Sequence, residues 1–262
     1  MDSPGAGTLL REWRQRRHLS QLDLAIEADV SSRHLSFIET GRARPTSDMI
    51  LRLAEHLDVP LRERNKLLLA GGFAPAYPER ALASPDLASV RAALARVLAG
   101  HEPYPALIVN RHWELVDANA SVALFTEGVA AHLLEPPVNV LRLSLHPDGS
   151  APRIANLPEW RAHLLSRLRH QVQATGDPVL AELHSELAAY PGGVSAGDVA
   201  DVIVPLRYRP EPGVELSFIS ITAVIGTPMD VTVEELAIES FYPADERTAA
   251  ALSAAATAAA KR

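Results

Sequence analysis

Four residues in one short stretch, Ser32, Arg33, Ser36 and Phe37, carry side chains suited to the edges of DNA bases. Arginine pairs bidentately with guanine, serine donates or accepts at any base edge, and an exposed phenylalanine meets a thymine methyl. On a helix that turns Leu35 and Ile38 inward, these four fall on the opposite side. Arginines bunch around them at positions 11, 14, 16, 17, 42 and 44, as phosphate contacts should. Arg14, Ser31, Arg42 and Arg44 are the phosphate candidates from this pattern. An ordinary pair of helices with a solvated outer face is the bland alternative, and the capping, the small-residue face and the flanking arginines argue against it.

No comparable pattern for catalysis or metal binding is found. The chain has 10 histidines; His163, His170 and His184 lie on expected helices, but none pairs with a second His or a carboxylate on the same apolar face, and HExxH is absent. His146-Pro147-Asp148-Gly149 reads as a turn. No GxSxG and no phosphate-cradling glycine loop is present. The expectation is therefore no enzyme, no catalytic residue, no metal and no cofactor.

The elements that must hold the DNA face are legible around it. Ser20 caps a helix opening at Gln21, with Asp23 placed for a capping box, and Leu24, Ala25 and Ala28 face inward. Asp29-Val30 breaks that helix with Val30 buried in the turn, Ser31 caps the next, and Gly41 stops it. Two short helices joined by a tight turn are the helix-turn-helix pattern, whose second helix enters the major groove. Residues 8–18 form a preceding helix with Leu9, Leu10 and Trp13 inward. Thr46 to Asp48 cap a fourth helix to residue 57, and Pro60 starts a fifth that ends at Gly71-Gly72. Leu67, Leu68 and Leu69 in succession exceed one buried face, so part of that run is expected to meet the second domain or another subunit.

Bulk properties agree with two domains. A chain of 262 residues with 47% hydrophobic content is long enough for two cores. No apolar run reaches membrane-span length and no signal-peptide core is present, so a cytoplasmic, membrane-free protein is expected. Zero cysteines exclude disulfides and thiolate sites. The net charge of -7 conceals an asymmetry: residues 1–72 carry 11 Lys and Arg against 10 Asp and Glu, leaving 14 against 22 for the remainder. Only the N-terminal part can face DNA.

Residues 73–103 are a proline-containing linker followed by a helix with Leu87, Val90, Leu94 and Val97 inward. From residue 104 the period changes. Residues 106–109 and 113–116 read as a hairpin around Asn110-Arg111-His112, Asn119 and Asn139 cap short helices, and 156–175 is a long helix with Trp160, Leu164, Leu168 and Val172 on one stripe. Asp177-Pro178 opens another. Three strands follow over residues 199–209, 214–225 and 234–241, the second apolar on both faces and so expected at the centre of the sheet. Residues 104–248 thus read as an α+β domain with an antiparallel five-stranded sheet, and 249–262 as an alanine-rich tail. Two-sided apolar strands against leucine-rich helices suit an apolar ligand chamber, with a closed core as the alternative. Trp113, Leu164, Leu168, Leu206, Phe218 and Ile221 are the candidate wall residues.

The run QLDLAIEADVSSRHLSFIETGRARP resembles the lambda-repressor/xenobiotic-response-element class of helix-turn-helix domains. More narrowly, RHLSFIETGRARP, LDVPLRERNKLLLAGGFAPAY, LHPDG, GTPMDVT and FYPADERT, dispersed in that order, resemble the MmyB-like regulators, over nearly the whole chain. That resemblance implies a five-helix DNA-binding domain followed by a PAS-like ligand-binding domain. It also implies a phosphate contact from Gln21, which on its own reads equally as a solvated side chain. Fatty-acid-like molecules are plausible occupants in such a family.

The reading is a sequence-specific regulator that binds a double-stranded operator as a homodimer and senses a small apolar, fatty-acid-like molecule. The alternative is a regulator whose C-terminal domain recruits RNA polymerase or another regulator with no small ligand.

Overall fold

The computed structural model describes residues 4–193 and 203–259. The chain divides into two compact units: residues 1–84 with 173–175 and 227–234, and residues 85–172 with 176–226 and 235–262.

The first unit holds five helices in its N-terminal part, α1 (Ala6–Arg16), α2 (Gln21–Glu27), α3 (Ser32–Glu39), α4 (Ser47–His56) and α5 (Leu61–Ala70). Local chemistry sets their ends. Ser20 Oγ accepts from Asp23 N at 3.1 Å while Asp23 Oδ2 accepts from Ser20 N at 3.0 Å, completing the capping box. Ser31 and Thr46 cap α3 and α4 in the same manner, by accepting from the backbone three residues on, each cap being worth about 1 kcal/mol. Gly41 stops α3 with φ of +73°, a conformation that disfavours other residues.

The apolar faces close on one core around Leu10, Trp13, Leu24, Leu35, Ile38 and Leu53, while Val30 in the turn is half-buried. Close approach of α1 to α3 depends on Gly7, where a Cβ would lie 2.0 Å from Ile38 O. Leu67 and Leu68 are buried, but Leu69 is exposed. Residues 227–234 contribute the one-turn helix α11 (Val231–Glu234), which packs on α5; the Glu234 carboxylate accepts from Leu61 N at 2.7 Å.

The second unit begins with α6 (Ala88–Gly100), whose buried residues are Leu94 and Leu98, whereas Val97, expected inward, is exposed. Five strands follow in one antiparallel sheet: β1 (Ala106–Val109), β2 (Leu115–Ala118), β3 (Leu206–Tyr208), β4 (Leu216–Val224) and β5 (Ala237–Pro243), in the order β2-β1-β5-β4-β3. Helices α7 (Ala123–Thr126), α8 (Val140–Leu145), α9 (Leu157–Thr175), α10 (Pro178–Ala189) and α12 (Glu246–Ala259) complete the domain.

Three expectations need correction here. The central strand is β5, not β4, because β5 pairs along most of its length with both β1 and β4, while β4 meets β3 over only Leu206 to Tyr208 and exposes its far end. Strand β2 starts at residue 115 rather than 113, since Asn110 to Trp113 form the turn, with Trp113 at φ +65°. Asn119 does not cap a helix with its side chain; Oδ1 accepts from Ala106 N and Nδ2 donates to Tyr104 O. Of the strand expected over 199–209, positions 199–202 lie outside the described residues, as do residues 260–262 of the expected tail. No helix among the described residues is long and apolar enough to cross a membrane.

Candidate DNA face and ligand chamber

The recognition helix α3 is held from behind. Leu35 and Ile38 are 0% and 1% exposed in the core, and Glu39 is buried beside them. Arg14 Nε and Nη2 donate to the two oxygens of Glu39 at 2.7 and 2.8 Å, and Arg14 Nη1 donates to Leu19 O at 2.8 Å. The hydrogen-bonded Glu39 carboxylate raises the Arg14 pKa further above its ordinary value, against the opposing effect of burial. Gln21 Nε2 donates to the same carboxylate at 2.7 Å. One anion therefore ties the start of α2 to α1 and α3.

With that side closed, the opposite side of α3 is open. Ser31, Ser32 and Arg33 are exposed, and Ser36 and Phe37 are half-buried. The Arg33 guanidinium stacks over the Phe37 ring at 5.4 Å, a packing that holds a long cation in a limited set of directions. Arg42 and Arg44 are exposed just beyond the helix stop, where the N–H groups of Arg42 and Ala43 both donate to Phe37 O. His34 is also exposed on α3, and its place next to Arg33 is the sequence signal for it.

Arg14 requires a correction. Expected at the phosphates, it is 8% exposed and committed to Glu39, because a bidentate partner in the core outcompetes solvent for a helix-borne guanidinium. Gln21 is half-buried and keeps one amide N–H beyond the bond to Glu39.

The second unit holds a partly open cavity of about 250 Å³ between the sheet and helices α7, α8 and α9. Trp113, Leu164 and Leu206 line it as expected. The other three do not. Leu168 and Phe218 are fully buried in the packed core behind the wall. Ile221 is 51% exposed, since strand alternation turns it away from the face that Phe218 and Ser220 share. Aromatic rings unforeseen from the sequence, Phe125, Tyr208 and Phe241, complete the apolar wall, with Phe125 edge-on to Tyr208 and Phe241 at 5.2 and 5.0 Å.

One corner of the cavity is polar. Arg167 Nη1 and Nη2 donate to Glu239 at 3.1 and 2.5 Å, and Arg167 Nη2 also donates to Thr222. Ser220 and Thr222 hydroxyls donate to the same carboxylate at 3.1 and 2.7 Å. The guanidinium lies 4.5 Å over Trp113, whose indole N–H is held by Gln171 at 2.8 Å. His163, stacked on Trp160, has its pKa lowered by burial and then by the charge of Arg167. The signals for this corner were a lone acidic residue within the apolar strand AIESFYP and an arginine between Leu164 and Leu168 on the buried stripe of α9.

Among the described residues, one group, His132, His146 and Asp148, brings metal-ligating atoms within 4.8 Å of one another. His132 and Asp148 are exposed, and His146 Nδ1 is occupied as acceptor of Asp148 N at 3.0 Å.

Comparison with known proteins covers both units. Residues 90–255 match the model of the MmyB-like transcription regulator ligand binding domain. Residues 10–64 match a helix-turn-helix model. No curated protein matches the chain.

Proposed function

The chain belongs to the MmyB-like transcription regulators, DNA-binding proteins with a ligand-binding domain, and from that premise we propose that a small apolar molecule held in the cavity sets its affinity for an operator. The observation that carries the reading is the wall of aromatic and aliphatic side chains around about 250 Å³ in the second unit. An apolar cavity with few, convergent polar groups is the usual form of a small-molecule site.

In this reading two copies bind a paired operator. Arg33, Ser32, Ser36 and Phe37 address base edges, and Ser31, Gln21, Arg42 and Arg44 address phosphates. Half-sites one helical turn apart need recognition helices about 34 Å apart. A ligand that favours one dimer geometry changes operator affinity by no more than its differential affinity for the two geometries, typically about 1–3 kcal/mol. Chain connectivity supplies a route for the signal. Strand β5, which carries Glu239 in the cavity wall, begins three residues after Glu234, the last residue of the 227–234 segment counted within the helix-turn-helix unit.

Native mass spectrometry of the purified full chain tests the proposal. A co-purifying apolar molecule, released on denaturation, is the expected result. A clean apo mass, together with no thermal shift from any apolar additive, would overturn the sensor and leave a module that recruits RNA polymerase or another regulator.

A further inference from the structure

The turn His146-Pro147-Asp148-Gly149 and the short turn Ala131–Leu133 come together in the second unit, and the cavity wall uses none of their polar side chains. Ala130 N donates to Asp148 O at 3.0 Å, which pins one segment on the other. Gly149 keeps the first turn tight, since a Cβ there would lie 2.3 Å from Leu143 O. The backbone thereby sets His132, His146 and Asp148 side by side, with one ligand atom from each within 4.8 Å of the others. The two imidazole rings meet edge to face at 5.6 Å.

Two imidazoles and a carboxylate are the donor set of a late first-row divalent ion such as zinc or nickel, whereas magnesium and calcium prefer oxygen alone. His146 Nδ1 accepts from Asp148 N at 3.0 Å and lies 3.9 Å from Asp148 Oδ2. An accepting nitrogen presents its lone pair, so the neutral ring already carries its proton on Nε2 and ligates through Nδ1 with no change of tautomer. An ion there takes the place of the Asp148 N–H, which this exposed turn can give to water. Ligand atoms bound to zinc at about 2.0–2.2 Å stand about 3.4 Å apart in a tetrahedron. Rotation of the exposed His132 and Asp148 side chains is enough to close the difference.

The site sits at the rim of the cavity. Leu134, two residues after His132, lines the cavity and is 37% exposed, which marks the side where the cavity opens. His146 ends α8, whose Leu141, Leu143 and Ser144 line the same cavity. An ion shared by the two segments ties that rim to α8.

We propose that His132, His146 and Asp148 bind a zinc-class divalent ion, and that the ion clamps the cavity rim at Leu134 to the end of α8 and retains the apolar molecule inside. The ion site stands on its own geometry; the retention rests on the apolar chamber proposed above.

Isothermal titration of tag-free, full-length protein with zinc chloride, and separately with magnesium chloride, tests the site. One zinc ion per chain is expected to bind, with a Kd on the order of 1 μM, and magnesium is expected to give no response. His132→Ala and Asp148→Asn, both at exposed positions, should each weaken zinc by at least about tenfold, while His170→Ala, outside the cluster, should not. Absence of saturable zinc binding, or binding that both cluster variants leave intact, overturns the proposal. The neutral dye N-phenyl-1-naphthylamine reads the retention: zinc should slow its release and tighten its binding by about fivefold or more in the wild type, and not in His132→Ala. Zinc bound with dye affinity and release unchanged overturns the clamp. A dye that binds neither with nor without zinc overturns the chamber and the retention with it, and the titration alone then decides the ion site.

Discussion

Arg14 and Glu39, 25 residues apart in the chain, form a bidentate pair with side-chain exposures of 10% and 1%. The pair clamps α1 to the C-terminal end of the recognition helix, and Gln21 joins it from α2. Removing one partner of such a pair leaves the other charge buried. Arg14→Ala should therefore destabilise the helix-turn-helix unit by about 3–5 kcal/mol, measured by urea unfolding. DNA binding by the fraction that remains folded should keep its salt dependence, because Arg14 makes no phosphate contact. A reduced salt slope with unchanged stability would return Arg14 to the DNA backbone.

Arg33 and Arg42 separate by the kind of contact they make. Arg33→Ala should cost about 1–3 kcal/mol and relax one operator position, whereas Arg42→Ala should weaken all sequences alike and lower the salt slope by about 1. Binding isotherms over a salt series, on operator and scrambled duplexes, distinguish them.

Leu164 and Leu206 line the chamber, and Ile221 lies on the outer side of its strand. Leu164→Trp should fill the cavity and abolish ligand-induced thermal stabilisation. Ile221→Trp should leave that stabilisation unchanged. Equal effects of the two would mean that ligand enters elsewhere.

His163 makes the stability of the second unit depend on pH. Its folded pKa is depressed below the ordinary imidazole value of about 6.5, by burial first and then by Arg167. Above that value both folded and unfolded chains hold it neutral, and it contributes no slope. As pH falls below about 6.5, the unfolded chain takes up a proton that the folded chain resists, so stability falls until the folded pKa is passed. The difference in urea midpoint between wild type and His163→Gln, followed from about pH 7.5 to about pH 5.5, should grow in favour of the variant as pH falls. A difference independent of pH would contradict this.

Much of this architecture was legible because it rests on local chemistry. The caps at Ser20, Ser31 and Thr46 and the inward Leu35 and Ile38 follow from short-range spacing, and the structure has each in place. The fate of Arg14 is not legible in this way because its partner is remote: nothing within a few residues of it shows that Glu39 will arrive from another helix. The chamber failed for the same reason in reverse. Leu164 and Leu168 share one helical stripe, but only tertiary packing decides which of them meets a void. Ile221 could have been set apart from Phe218 by strand alternation alone.

The most direct measurement is selection from a random duplex library by the purified full-length protein at low salt, beside its Arg33→Ala variant. Enrichment of a paired motif with half-sites about 10 base pairs apart, and loss of one base preference per half-site in the variant, is the predicted result. A pool that stays random, or a variant that enriches the same motif with the same strength, would contradict the assignment of the outer face of α3 to DNA.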